Sequence, residues 1–370
     1  METVDTIVVG GGVIGLSCAY ALACEGREVM VLEKHDAVGQ EISSRNSGVI
    51  HAGLYYPAHS LKARACVEGK ALLYEFCCEY GVPHKRIGKL VVATSTEQEP
   101  QLQALYEQAR INHVDDVRML SAQDVRALEP ALSCHAAMLS PSTGIVDTHA
   151  LLLALQGALE ARGGQVVLGE TVSALEKTGE AYQLTMVGGY SLRAEHVIVA
   201  AGLGGNQLLS TLKKESPSLE VPPLYYAKGN YFSLTGSAPF SHLIYPLPEN
   251  GGLGVHLTLD MGGQARFGPD VEWVDHVDYT VDPARKNIFY EKIRHYWPEL
   301  PDNSLHEGFA GIRPKIAPQG ARAADFQILG GGHGDHSRLL AFCGVESPGL
   351  TASLCLGRMA SRLLSVQSAF

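Results

Sequence analysis

The chain has 370 residues, 46% of them apolar, and a formal net charge of −10 at pH 7. That size and apolar content support a full core and predict two structural domains. The negative charge argues against nucleic acid and anionic lipid as partners, but leaves a small anionic substrate open, because local charge decides that.

The first apolar run, Thr6 to Val9, meets Gly10, Gly12 and Gly15 in G-x-G-x-x-G spacing. A helical apolar pattern follows, then Gly26, then a second apolar run ending in Glu33. This order predicts strand, tight turn, helix and parallel strand. Gly10 permits the turn, Gly12 lets a pyrophosphate approach the backbone, and Gly15 allows close helix–strand packing. Glu33, eighteen residues beyond Gly15, is placed to accept hydrogen bonds from a ribose. Ile7 to Cys24 is uncharged, but Glu2 and Asp5 precede it and three consecutive glycines interrupt it. It therefore reads as neither a secretory signal nor a spanning helix. A cytoplasmic protein is expected, with peripheral contact at the inner face of a membrane as the other placement.

Residues 39–60 form a long polar and glycine-rich stretch that reads as a functional loop. A helix is predicted from Leu61 to Tyr80, ended by Gly81 and Pro83, then a strand from Lys89 to Thr94. Polar helices are predicted around 97–110 and 121–128, and Asp147 caps a helix running to Arg162. Short strands follow at 165–168, 171–176, 182–186 and 191–193, then a buried strand from His196 that breaks at Gly202. Residues 225–270 look hairpin-like, with turns at Glu249-Asn-Gly-Gly and Met261-Gly-Gly. Pro283 to Trp297 reads as an amphipathic helix, and the chain closes with a strand at 339–343 and a helix at 349–364. The expected organisation is a nucleotide-binding domain of three segments, 1–88, 144–212 and 306–370. A second, β-rich domain is inserted as 89–143 and 213–305. The eight cysteines contain no C-x-x-C, which suits a reducing compartment and predicts no metal centre.

Three blocks carry a more specific signal. The first is Ser43-Ser-Arg-Asn-Ser-Gly-Val-Ile-His-Ala-Gly-Leu-Tyr-Tyr. The second joins Leu61-Lys-Ala-Arg-Ala-Cys-Val-Glu-Gly with Gly88-Lys-Leu. The third joins Ile244-Tyr-Pro-Leu-Pro with Gly254-Val-His-Leu-Thr and Phe267-Gly-Pro. Together with the N-terminal glycines, Ala200-Ala201-Gly202 and Gly344-Val-Glu-Ser-Pro-Gly-Leu-Thr, they resemble the L-2-hydroxyglutarate oxidase/dehydrogenase family. That family lies within the D-amino-acid-oxidase-type FAD-dependent oxidoreductases. The resemblance implies an α/β protein, α+β overall, with a Rossmann-like FAD-binding domain of the glutathione-reductase type and an inserted β-rich substrate domain. It implies FAD, held non-covalently, and oxidation of an (S)-2-hydroxy dicarboxylate to a 2-oxo acid. One position departs from the pattern: Asn230 stands where the family has an acid.

By physics and by resemblance, Gly10, Gly12, Val13, Ile14 and Gly15 are expected to hold the pyrophosphate and Glu33 the ribose. Lys34 and His35 border the adenosine, and Ser43, Ser44, Arg45, Asn46, Ser47 and Gly48 run along the flavin and pyrophosphate. Val172 meets the adenine, and Ala201 and Gly202 pass near the dinucleotide. Gly349, Leu350 and Thr351 open the last helix, where N–H groups stabilise negative charge on the reduced flavin. Oxidising a 2-hydroxy acid also needs a cation for the carboxylate, a base for the hydroxyl proton, and the Cα hydride held against flavin N5. Arg313, in Gly311-Ile-Arg-Pro-Lys, matches the carboxylate-gripping arginine of the wider superfamily, and its planar fork suits that task. Lys315 is a candidate for a second carboxylate. His51 and His256 compete as the base. Tyr56 and Tyr245 are candidates for substrate hydrogen bonds.

The expected partners are a small anionic 2-hydroxy acid and an electron acceptor, which is oxygen, a quinone or a redox protein. A glycine- or sarcosine-type amine oxidase is the nearest rival, and a non-catalytic FAD-binding protein is the alternative of another class. A nicotinamide dehydrogenase would need neither the Ala200 nor the Gly349 segment.

Overall fold

A computed structural model describes residues 3–213, 219–248, 254–332 and 334–365. The predicted turn at Glu249-Asn-Gly-Gly lies outside them. The chain divides into two compact units, one of residues 1–44, 148–225 and 313–370, the other of residues 45–147 and 226–312. The first passage between the units falls at 44/45, ahead of the expected 88/89. The reason is strand pairing. Val49–Ile50 and His84–Lys85 both pair with Gly144–Val146, a partner no local pattern announces.

The first unit is built on a sheet whose parallel strands run Leu339–Cys343, Ser191–Val199, Thr3–Val9, Val29–Glu33 and Gln165–Leu168. Helix Val13–Cys24 links the third of these to the fourth, which is the Rossmann-like crossover. Residues 191–193 and the run from His196 form one strand, not two. Its first half pairs antiparallel with Ala181–Met186 and its second half parallel with Leu339–Cys343. The first half alternates polar and apolar, and the second is continuously apolar, because the surroundings change midway.

The second unit is built on a sheet that has nine strands among the described residues. Register fixes its two faces. Leu90, Ile244, Leu257, Phe267 and Phe232 are neighbours across successive strands, so their side chains share one face. All five are fully buried in the unit's core, where Phe232 packs on Phe289 of helix Lys286–Arg294 at 4.6 Å. The residues next to them in sequence, Lys89, Tyr245, His256 and Tyr231, therefore turn to the other face. Strand Leu305–Lys315, absent from the expectations, adds to the edge by pairing with Tyr225–Leu234. It was missed because glycine, proline and charge interrupt its alternation.

Candidate active site

In the first unit the glycine turn has the shape that its spacing predicts. Gly10 takes φ of +111°, and a Cβ there would press on the Ala200 carbonyl. A Cβ on Gly15 would overlap the carbonyl oxygen of Gly10, so helix and strand approach as only glycine allows. Gly12 caps helix Val13–Cys24 without a side-chain hydrogen bond. Ser43 Oγ accepts from Val13 N at 2.9 Å, which ties residue 43 to the helix start. Glu33 is buried, and its carboxylate accepts from Gly11 N at 2.7 Å and His35 N at 3.0 Å. Each carboxylate oxygen has a second lone pair, so the same group can also meet a ribose hydroxyl. Lys34 and His35 both reach Glu41, at 2.7 and 3.3 Å.

The last helix, Gly349–Ser365, packs on Val13–Cys24, where a Cβ on Gly357 would overlap the Ser17 carbonyl. Gly202 takes φ of +51° just after the buried strand, beside Ala201. Val172 opens the strand that pairs with Met186. These features fit FAD: a backbone cradle that any larger residue would fill, a carboxylate at the second strand's end, and helix N-termini within one unit. Lys315, the candidate for a second carboxylate, is half-buried in the first unit. Its ammonium meets Glu346 at 2.7 Å, so its charge is already balanced within the unit.

Residues 45–48 belong to the second unit, while Ser43 and Ser44 belong to the first. Ser44 Oγ donates to Glu41 O. The Arg45 guanidinium lies 4.1 Å from the Tyr279 ring. Asn46 Oδ1 accepts from Gly48 N at 2.8 Å, closing a turn in which Gly48 has φ of +63°. Ser47 Oγ bonds the Tyr231 hydroxyl at 3.1 Å, and that ring stacks on Phe309 at 4.5 Å. Arg313 lies on strand Leu305–Lys315 and is the first residue of the last segment of the first unit.

The second sheet face gathers three of the expected residues. The Tyr245 and His256 rings stack at 3.7 Å, 10° apart. Loop residues 51–55 come to the same place, because Lys89 Nζ lies 4.6 Å from the Tyr245 ring and 4.7 Å from that of Tyr55. Cys66, on helix Leu61–Glu79, donates its thiol to the His51 carbonyl at 3.5 Å. Tyr55 rather than Tyr56 presents its ring to Lys89, and the carbonyl of Tyr56 accepts from Asn112.

Electrostatics single out two members. Burial, with the Lys89 charge adding to it, lowers His51 to about 3, so its imidazole is neutral at physiological pH. Burial likewise pulls Lys89 down to about 7 and pushes the Cys66 thiol up to about 12. Lys89 is fully buried, and its Nζ has no hydrogen-bond partner among the described residues. Two cation–π contacts return about 0.5–2 kcal/mol each. An uncompensated buried ammonium costs several kcal/mol, so a deficit remains. Lys89, Tyr55 and Cys66 lie within the family blocks, but the sequence assigns none of them a role. A signal was present for the first: Lys89 opens a strand whose five residues are all buried.

Elsewhere, Asp5, Glu195 and His196 place ligand-type atoms within 4.8 Å of one another. Arg27 donates to Asp5 at 2.6 Å and approaches His196 equally closely, so that cluster is held by a guanidinium.

Residues 5–363 match the family described as FAD dependent oxidoreductase. L-2-hydroxyglutarate dehydrogenase of Arabidopsis thaliana, a mitochondrial protein, is 39% identical over 96% of this chain and 82% of its own length. The mitochondrial L-2-hydroxyglutarate dehydrogenase of Homo sapiens is 30% identical over 96% of this chain and 87% of its own. Among solved structures, dithionite-reduced L-alpha-glycerophosphate oxidase of Mycoplasma pneumoniae with FAD bound superposes with a TM-score of 0.88 at 27% identity. That match covers 99% of this chain and 95% of the oxidase. The glycine cradle, the placement of Glu33 and the near-complete family match agree, and the chain belongs to the FAD dependent oxidoreductase family.

Proposed function

We propose that the protein oxidises L-2-hydroxyglutarate to 2-oxoglutarate with FAD as its cofactor. The observation that carries this reading is the His51, Tyr245 and His256 cluster, set around a buried cation, in a chain 39% identical to an L-2-hydroxyglutarate dehydrogenase. Bound FAD supplies the two-electron acceptor that the oxidation requires. Arg313 grips the C1 carboxylate with its planar fork. His51, neutral at physiological pH, accepts the C2 hydroxyl proton on its imidazole. The stacked Tyr245–His256 pair orients the hydroxyl and walls off water. We place the protein in a reducing compartment, in keeping with eight cysteines that all remain free thiols. No helix among the described residues is long and apolar enough to cross a membrane.

The test is anaerobic. Purified flavin-loaded protein is mixed with L-2-hydroxyglutarate, and the flavin band near about 450 nm is followed. Bleaching by the L-isomer and not the D-isomer is expected. Bleaching by glycine or sarcosine, with none by any 2-hydroxy acid, would move the protein to the amine oxidases. Flavin that no substrate reduces would make it a binding protein. Adding oxygen, a quinone analogue or a redox protein to the bleached enzyme then identifies the acceptor by the rate at which colour returns.

A further inference from the structure

Lys228, also buried, has its charge met by Asp278 at 3.0 Å, and half-buried Lys315 has its charge met by Glu346 at 2.7 Å. Lys89 differs. It is 0% exposed, no carboxylate among the described residues pairs with it, and its Nζ makes no hydrogen bond among them. Its surroundings are two tyrosine faces and a neutral thiol. It also shares a sheet face with Tyr245 and His256, among the residues assigned to the reaction.

An ammonium in such a place is stabilised when an anion arrives. The residue lying over it is Tyr55, which sits on a loop and retains 39% of its surface exposed. Moving that ring aside exchanges one cation–π contact for an ion pair in low dielectric, which is the stronger interaction. A 2-hydroxy dicarboxylate brings two anions. Arg313 takes the one beside the reacting carbon, and Lys315 is already committed to Glu346.

We propose that Lys89 is the specificity-determining cation that receives the distal carboxylate of the substrate, selecting a 2-hydroxy dicarboxylate over a monocarboxylate of equal length. The assignment rests on the functional reading above. It also couples anchoring to chemistry. The Lys89 charge contributes to keeping His51 hard to protonate, so a carboxylate that neutralises Lys89 makes His51 a better proton acceptor at the moment substrate is held.

The experiment compares L-2-hydroxyglutarate with L-2-hydroxyvalerate, which has the same chain without the distal carboxylate, in the flavin-loaded wild type and Lys89→Met. Methionine keeps the length of the stem and removes the charge. The ratio of the two kcat/KM values is expected to fall about 100-fold in Lys89→Met, mainly through KM for the dicarboxylate. Equal losses on both acids, or an unchanged ratio, overturn the assignment. If Lys89→Met fails to retain flavin, Lys89→Arg decides. It keeps the charge with altered reach, so KM is expected to rise for the dicarboxylate alone, and equal rises overturn the proposal. A wild type inert to L-2-hydroxyglutarate, yet reduced by another substrate, overturns the functional reading and the subsite with it. A wild type that is active but unaffected in its ratio by either variant overturns the subsite only.

Discussion

Asn230 is fully buried, and its amide donates to Asp270 at 3.1 Å and to Glu272 at 3.0 Å, while its backbone N–H also donates to Asp270. Arg285 closes the cluster from the other side of both carboxylates. The amide is therefore met locally: with two carboxylates already present, an amide with two donors fits where the expected acid would not. Asn230→Asp is expected to destabilise the fold by about 2–4 kcal/mol at pH 8, through lost donors and like-charge repulsion. The neighbours would raise the introduced acid's pKa in the folded state above its unfolded value. The protonated form is then tolerated, and the penalty grows as pH rises from the unfolded pKa through the raised folded one. Urea unfolding of both proteins at pH 5 and pH 8 checks this, and a gap that does not widen with pH would refute the repulsion argument. At this scale the sequence revealed identities but not company. His51, Tyr245 and His256 carry a role in their blocks, whereas Lys89 sits in its block without one, because its meaning lies in its surroundings, and those belong to the tertiary fold.

Strand Leu243–Pro246, which carries Tyr245, is fixed at its entry by one side chain. Glu129, at the end of helix Ala122–Leu128, is 2% exposed. Its Oε1 accepts from the backbone N–H and hydroxyl of Ser241 and from the backbone N–H of His242, and meets the His242 ring at 2.6 Å. Burial alone would raise this carboxyl, but the hydrogen bonds outweigh it and hold the group below its ordinary value of 4.5. The contribution to stability is thus present in full above pH 4.5 and lost as pH falls through the lowered value. Glu129→Ala is expected to cost about 2–4 kcal/mol at pH 7, since several buried donors lose their acceptor. Denaturant titrations should show the gap from wild type narrowing below pH 4.5. A gap constant with pH would mean that the lost packing, not the charge, carries the effect. Elements with a strong local period, such as helix Leu61–Glu79 and the strands around the glycine turn, were legible from sequence. Leu305–Lys315 and the joining of Ser191–Val199 were not, because both are decided by neighbours distant in the chain.

The two units are interleaved along the chain: it passes between them at 44/45, 147/148, 225/226 and 312/313. The two segments of the second unit are therefore joined only through residues 148–225 of the first. If the first unit unfolds, that connection becomes a long flexible loop, and closing it costs the second unit entropy. With FAD placed in the glycine cradle of the first unit, as proposed, flavin would stabilise that unit directly and the second through the chain. Each tenfold rise in free FAD above its dissociation constant adds about 1.4 kcal/mol to a transition linked to binding. The probes separate cleanly. Both tryptophans, Trp273 and Trp297, lie in the second unit, while flavin fluorescence reports release from the first. Thermal scans at increasing FAD are expected to move the tryptophan transition upward together with flavin release, and the FAD-free protein to show the lowest tryptophan midpoint. A tryptophan midpoint indifferent to FAD would show instead that the second unit, with its own buried core and its His51–Lys89–Tyr245 cluster, holds together when the cofactor unit has melted.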